Sequence, residues 1–482
     1  MGAYLSEPVT IKHVEIPCEN NDGNMAYACC SLQGWRRHQE DAHIRPQKLN
    51  NSVQILGVYD GHGGADVARF VENNLIKVLI EDAHFKKKDY AKALQNAYLK
   101  IDEMILTKAG QKELKLMDQK ANLDEEADSE LMKELGKSYE QKEGDDSAII
   151  IKGEKTIVYT EIDNDGNKCN NSSNSNSGGS SIISSNGSSN STHKKKTGDN
   201  SNSNGVLTKE ALEKKLEEKI RILLESSKNL PAAEAKKKNN TKSSNKGATA
   251  KNNSTNKDDD NEAVDIESVD FGLHSGCTAT TCLIIDNKTI ICGNSGDSRC
   301  VLSRNKVAFP LSNDHNPDVQ SEVDRIEKAG GTVSEDGRVE GNLNLSRALG
   351  DLMYKQNNDL GPEEQMITGF PEVMYTDIQP KDDYLVIGCD GIFNVLTNQE
   401  VIDFVHAGLA LNQTLGEIAA NMCDRCMTTD ANGDGTGCDN ETVIILKLNN
   451  DGESSSGSSS TSLKKRPSDH GDEKKPKRNR NN

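Results

Sequence analysis

The chain has 482 residues, is 33% hydrophobic, 28% charged and only 4% aromatic, and carries a formal charge of −18. An average globular chain is about 45–50% apolar on a slightly wider count, so some long stretch of this one cannot bury a core. Composition argues against a membrane-spanning protein, since no run approaches ~18 apolar residues, against a disulfide scaffold, since the 12 cysteines are scattered, and against nucleic acid as a partner, since the acidic balance favours divalent cations.

In chain order, residues 1–22 read as an N-terminal segment with no apolar targeting core. Met1-Gly2-Ala3-Tyr4-Leu5-Ser6 fits the myristoylation pattern, with Gly2 as acceptor; one such chain supports peripheral membrane association at most. A packed domain is expected over 23–111 and 269–449, interrupted by an insertion at 112–268 and followed by a tail at 450–482. In its first part, Val53–Tyr59 is an apolar run ending in Asp60-Gly61-His62-Gly63-Gly64, which predicts a strand entering a tight turn. Helical patterns follow over Ala65–Glu81 and Tyr90–Lys108. The insertion opens on an acidic, helix-prone stretch, Gln111–Glu143; then 24 of the 41 residues from Asn164 to Asn204 are Asn or Ser, and Ala235–Asp260 is rich in Lys, Asn, Ser and Asp. Such sequence cannot offset chain entropy and is expected to be largely disordered. Within it, Leu212, Leu216, Ile220, Leu223 and Leu224 recur at helical spacing, an amphipathic helix of about five turns that is solvated, rests on the neighbouring domain, or takes a regulatory protein partner.

The second part predicts strands at 278–286, 289–295, 299–303, 384–389 and 441–448, and helices at 319–329, 398–410 and 415–428. Strands in runs with helices in pairs predict an α+β fold. Cys423-Asp424-Arg425-Cys426 has redox spacing without a second pair, so its thiols are expected to be buried and structural. Asp430–Glu441 fits a calcium-loop pattern, but Gly437 stands at its hydrophobic position and Glu441 opens a strand, so calcium is not expected there. In the tail, Lys464-Lys465-Arg466 and Lys474-Lys475-Pro476-Lys477-Arg478 resemble a bipartite nuclear import signal. With Gly2, this places the protein in cytoplasm and nucleus.

Three carboxylates sit where stability alone would not put them. Asp60 and Asp390 each end an apolar strand and precede glycine, and Asp439 precedes the apolar strand Thr442–Leu446. Gathered on one rim of a sheet core they would repel unless a cation held them. Oxygen ligands without a His/Cys cluster indicate Mg²⁺ or Mn²⁺ rather than zinc.

Gly34-Trp35-Arg36, Glu40-Asp41-Ala42-His43, Val58 to Gly64, Ser275-Gly276 with Thr278-Ala279, Gly296-Asp297-Ser298-Arg299, Leu345 to Asp351, Cys389-Asp390-Gly391 and Asp439-Asn440 together resemble the metal-dependent protein phosphatase family, also called protein phosphatase 2C. Each motif is weak alone; their order is specific, and the likeness covers roughly 23–110 and 270–449. The resemblance implies a central β-sandwich of two antiparallel sheets flanked by pairs of helices. It also implies a protein serine/threonine phosphatase that uses two Mg²⁺ or Mn²⁺ ions and a metal-activated water, without a phospho-enzyme. Its partners would be phosphoprotein substrates and metal ions. Separately from the resemblance, a monomer is expected. Asp60 would bridge both ions, Glu40 and the Gly61 carbonyl would complete one site, Asp390 and Asp439 the other, and Asp297 would serve a weaker third. Asp41 would hold a water or support a ligand. Arg36 would grip the phosphate through paired donors, and His62 would protonate the departing alkoxide. Phe393-Asn394 departs from the family's usual Trp-Asp, but no ligand position is lost. The rival reading, a non-enzymatic scaffold, does not explain why the ligand carboxylates are intact.

Overall fold

Val53–Tyr59, Ala279–Ile285 and Glu441–Lys447 are near-continuous apolar runs, buried on both faces. A strand tolerates that pattern only where both sides of its sheet are covered. In the computed structural model, which describes residues 4–17, 25–119, 156–162 and 269–448, they occupy the middle of two facing sheets. One sheet runs Val307–Pro310 (β11), Arg299–Arg304 (β10), Asp382–Gly388 (β14), Glu441–Lys447 (β15), Tyr27–Gly34 (β2), Val9–Pro17 (β1) and Thr156–Ile162 (β6). The other runs Glu372–Asp377 (β13), Thr289–Ser295 (β9), Ala279–Ile285 (β8), Val53–Tyr59 (β4) and Ala42–Lys48 (β3). A small third sheet joins Leu349–Gly350 (β12), Gly276–Cys277 (β7) and Gly61–His62 (β5) at the end where β4 runs out.

The alternation of β4 sorts its side chains between two cores. Leu56 and Val58 meet Ile284, Val301, Val386 and Ile445 in a cluster that continues to Ile402 and Ile418 of helices Asn398–Ala410 and Leu415–Cys426. Ile55 and Tyr59 pack with Phe70, Leu75, Leu94 and Tyr98 of helices Asp66–Glu81 and Tyr90–Ile105. The result is the expected α+β sandwich with helix pairs outside both sheets. Thr397/Glu400 and Thr414/Glu417 form reciprocal caps that fix where two of those helices start.

Three boundaries differ from the sequence expectation. Residues 9–17 are not a separate leader, because β1 pairs antiparallel with β2 and buries Ile11 and Val14. Lys12 hid that strand from a hydropathy reading: its ammonium is fully buried and pairs with Asp424 at 2.9 Å. At the other edge β6, from within the insertion, pairs with β1 in parallel, so this sheet is not wholly antiparallel. The packed domain also runs past residue 111 through a helix over 108–119, whose Leu114 is buried among the outer helices. Gln111 ties the two sides of the insertion together, donating to the carbonyls of Ile105 and Phe271 at 2.9 Å and accepting from the backbone N–H groups of Asp270 and Phe271 at 3.1 Å. The Leu212–Leu224 stretch, the Asn/Ser-rich run and the basic tail lie outside the described residues. Among the described residues, no helix is long and apolar enough to cross a membrane.

Candidate active site

The acidic residues predicted from separate strand ends converge at one end of the sandwich. Asp60 ends β4, and its backbone is tied to Thr278, whose N–H donates to the Asp60 carbonyl at 2.8 Å. Asp390 follows β14 as the first residue of a one-turn helix, and Asn394 donates to its Oδ2 at 2.9 Å. Asp439 lies two residues before β15. The backbone is tight here: a Cβ on Gly61 would stand 2.2 Å from the Glu40 carbonyl oxygen, and one on Gly391 would stand 2.0 Å from that of Asn440. Glycine follows each strand-ending Asp because nothing larger lets the neighbouring chain approach. Asn440 braces the Glu40 loop, accepting from the Glu40 N–H at 3.0 Å and donating to the Gln33 and His38 carbonyls.

Electrostatics show how closely the carboxylates are gathered. Burial, then the charges of Asp41, Asp390, Asp439 and Asp297, push Asp60 well above the ordinary range of an aspartate. Burial and Asp439 push Asp390 up to about 6. Burial, Asp390 and Asp314 push Asp297 well up. Asp41 is pushed up to about 7, mainly by burial, although Thr442 donates to it at 2.6 Å. Burial raises Glu40 too, opposed by Arg36, His62 and His38. A set of hard oxygen donors that repel one another and are taken from water suits small divalent cations, whose charge removes both penalties. Cys389 lies within 4.8 Å of Asp41 and Asp60. Its sulfur is already engaged by the Thr442 N–H at 3.1 Å and the Asn440 carbonyl at 3.4 Å, and burial raises its thiol well above the ordinary value, so it is no ligand.

Two cationic groups border the cluster. Arg36, about half exposed, donates from Nη2 to Asp439 Oδ2 at 2.6 Å. Burial works against its charge, but Asp439, Asp390 and Asp60 outweigh it. His62 places Nε2 2.7 Å from Asp351 Oδ2. Burial alone would lower this imidazole; the Asp351 carboxylate, with help from Glu40 and Asp297, raises it instead.

Asp351 has no role in the sequence reading, although it closes one of the quoted motifs and repeats the strand–carboxylate signal after β12. It is held in the left-handed region at φ 48°, and Asp102, in the last turn of helix Tyr90–Ile105, accepts from the neighbouring Gly350 N–H at 2.8 Å and from Lys355 Nζ at 2.6 Å. No local pattern announces Asp102. Every predicted site residue is thus in the cluster or on its border except Gly2, which lies outside the described residues. The Asp430–Asp434 loop is an exposed turn closed by its own side chains, and Glu441 is buried at the start of β15. Cys423 and Cys426 are buried free thiols, as expected.

A family model described as protein phosphatase 2C matches residues 25–121 and 162–434. The chain belongs to the protein phosphatase 2C family. Protein phosphatase ppm-1.G of Caenorhabditis elegans is 39% identical over 489 residues, spanning 92% of this chain and 98% of that protein. Protein phosphatase 1G of Mus musculus is 33% identical over 513 residues, with 92% of each chain covered. Probable protein phosphatase 2C 21 of Arabidopsis thaliana is 30% identical over 449 residues, with 93% of each covered. Membership makes the chain a serine/threonine protein phosphatase of a Mg²⁺/Mn²⁺-dependent class.

Proposed function

We propose that this phosphatase cleaves phosphoserine and phosphothreonine by direct attack of water on phosphorus, without a phospho-enzyme. The observation that carries the reading is the meeting of Asp60, Asp390 and Asp439 from three strand ends, with a guanidinium on one side and a carboxylate-backed imidazole on the other. Asp60 would bridge two divalent cations, with Glu40 and the Gly61 carbonyl completing one set of ligands and Asp390 with Asp439 the other; Asp297 would serve a weaker third ion. Bound there, such cations supply an activated water and offset charge on the phosphoryl oxygens. Arg36, held at the rim by Asp439, offers its remaining donors to the phosphate and so favours the more highly charged transition state. His62 gives its proton to the departing serine or threonine oxygen, and Asp351 orients the ring and keeps it protonated near neutral pH. Asp41 stays behind Asp60, its Oδ2 occupied by Thr442, and orders a water or a ligand.

The test is phosphate release from a phosphothreonine peptide by the purified chain, stripped with chelator and then given Mn²⁺ or Mg²⁺, with a parallel search for labelled protein after a radiolabelled substrate. Release that vanishes on stripping, returns with the cation and leaves no label on the protein supports the reading. Undiminished release from stripped protein, or a stable phosphoryl label, would overturn it.

A further inference from the structure

Away from this site, the sandwich interior contains a cluster the hydrolysis does not use. Cys282 of β8 and Cys292 of β9 stand opposite each other in register, and Cys300 of β10 meets them from the facing sheet, its Sγ 3.3 Å from that of Cys282. All three sulfurs lie within 4.8 Å of one another, all three residues are fully buried free cysteines, and no fourth nitrogen or oxygen ligand joins the group among the described residues. We propose that Cys282, Cys292 and Cys300 form a three-thiol site for a trivalent metalloid, arsenic(III) or its congener antimony(III), bound across both sheets.

Geometry supplies the first argument. Three sulfurs bonded to one centre at about 2.3 Å stand about 3.4–4 Å apart, a separation this cluster reaches with small side-chain adjustments. The donor count supplies the second, because zinc in structural sites takes four ligands and this pocket offers three. Charge supplies the third. The surroundings are aliphatic, with Leu56, Val58, Ile284 and Leu302 in the same cluster. Three thiolates around a divalent ion leave one negative charge, and around a monovalent ion two, in a medium that penalises unpaired charge heavily. Around arsenic(III) the complex is neutral. The Glu372 carboxylate, near enough to oppose ionisation of Cys292, adds to the bias against a net negative site.

The exchange balances without a redox step. Arsenous acid loses three As–O bonds and gains three As–S bonds, and the three thiol protons leave with the hydroxides as three waters. Because the cluster is enclosed, uptake requires opening of the sandwich or its assembly around the metalloid.

The test uses the full chain, reduced with a phosphine and given equimolar arsenite in two arms, once folded and once during refolding from urea. The expected result in at least one arm is one arsenic per chain, with three hydrogens lost in the intact mass and a raised unfolding temperature. Alkylation after denaturation should then miss Cys282, Cys292 and Cys300 and label the other cysteines. Cys292→Ser should abolish uptake and Cys423→Ser should retain it. Wild-type protein supplies the thiol map even where a variant does not fold. No uptake in either arm, or arsenic held by Cys30 and Cys423, whose sulfurs stand 3.6 Å apart, would overturn the proposal.

Discussion

Glu322→Gln should cost about 3 kcal/mol of stability at neutral pH, and the cost should fade in acid. Glu322 lies on helix Gln320–Lys328 with its side chain 3% exposed. It accepts from Arg325 at 2.5 Å, from Arg347 at 2.7 and 3.0 Å, and from the Ser346 hydroxyl at 2.7 Å. Burial opposes its charge, yet the two guanidiniums hold it down to about 2, against an ordinary 4.5. At 1.36 kcal/mol per pH unit, that difference amounts to about 3 kcal/mol. The folded-state value lies below the unfolded one, so the contribution is complete above about pH 4.5 and is lost as the pH falls towards 2. Burial also pushes Arg325 down despite Glu322, so a neutral Gln would leave a desolvated cation behind, in line with the ~3–5 kcal/mol seen when one partner of a buried pair is removed. Ser346 and Arg347 lead into β12, which Asp351 follows, so the variant should also slow turnover. Urea unfolding of both proteins at pH 7 and pH 3 is the assay. A loss under about 1 kcal/mol at pH 7, or an equal loss at pH 3, would show that the buried ion pair does not supply this stability.

Other outcomes follow from the same geometry. His62→Gln and Asp351→Asn should each slow a phosphothreonine peptide by about 10²–10⁴-fold and an aryl phosphate, which departs with little need of a proton, far less; equal losses in steady-state assays would remove the proton-donor role. Gly61→Ala drives a Cβ to within 2.2 Å of the Glu40 carbonyl oxygen, so Mn²⁺ affinity by calorimetry should fall about 10–100-fold while cooperative unfolding persists. Leu114→Ala should cost about 2–5 kcal/mol in denaturant, because that side chain is fully buried; a deletion of the insertion that starts at residue 112 should therefore unfold more easily than one that starts at residue 163.

The parts of this fold that were legible in the sequence are those where local chemistry and tertiary role agree. Apolar runs ending in Asp-Gly gave β4 and β14 together with their carboxylates, since a strand that ends in a charge before a glycine has few reasons other than a site. The helices expected at 398–410 and 415–428 are present as Asn398–Ala410 and Leu415–Cys426, with reciprocal caps at their starts. What was not legible depended on distant partners. β1 lies within the stretch read only as an N-terminal segment, and its buried Lys12 is accommodated by Asp424, more than four hundred residues away. The helix over 108–119 reads as part of the insertion because its docking, through buried Leu114 and the bonds of Gln111 to Asp270 and Phe271, depends on residues distant in sequence. Asp351 has the right local signal, but its partner His62 is brought near only by the small sheet of β5, β7 and β12, and Asp102 acts from the last turn of an ordinary helix.

In the proposed mechanism Asp60 would hold the divalent cations that run the hydrolysis. The most direct test of that role is phosphate release from a phosphothreonine peptide against Mn²⁺ concentration, for the parent chain and for Asp60→Asn. Asn keeps the shape and removes one of the charges crowded there, so the variant should remain folded and show no saturable Mn²⁺-dependent release. A variant that reaches the parent rate at saturating Mn²⁺ would contradict the account.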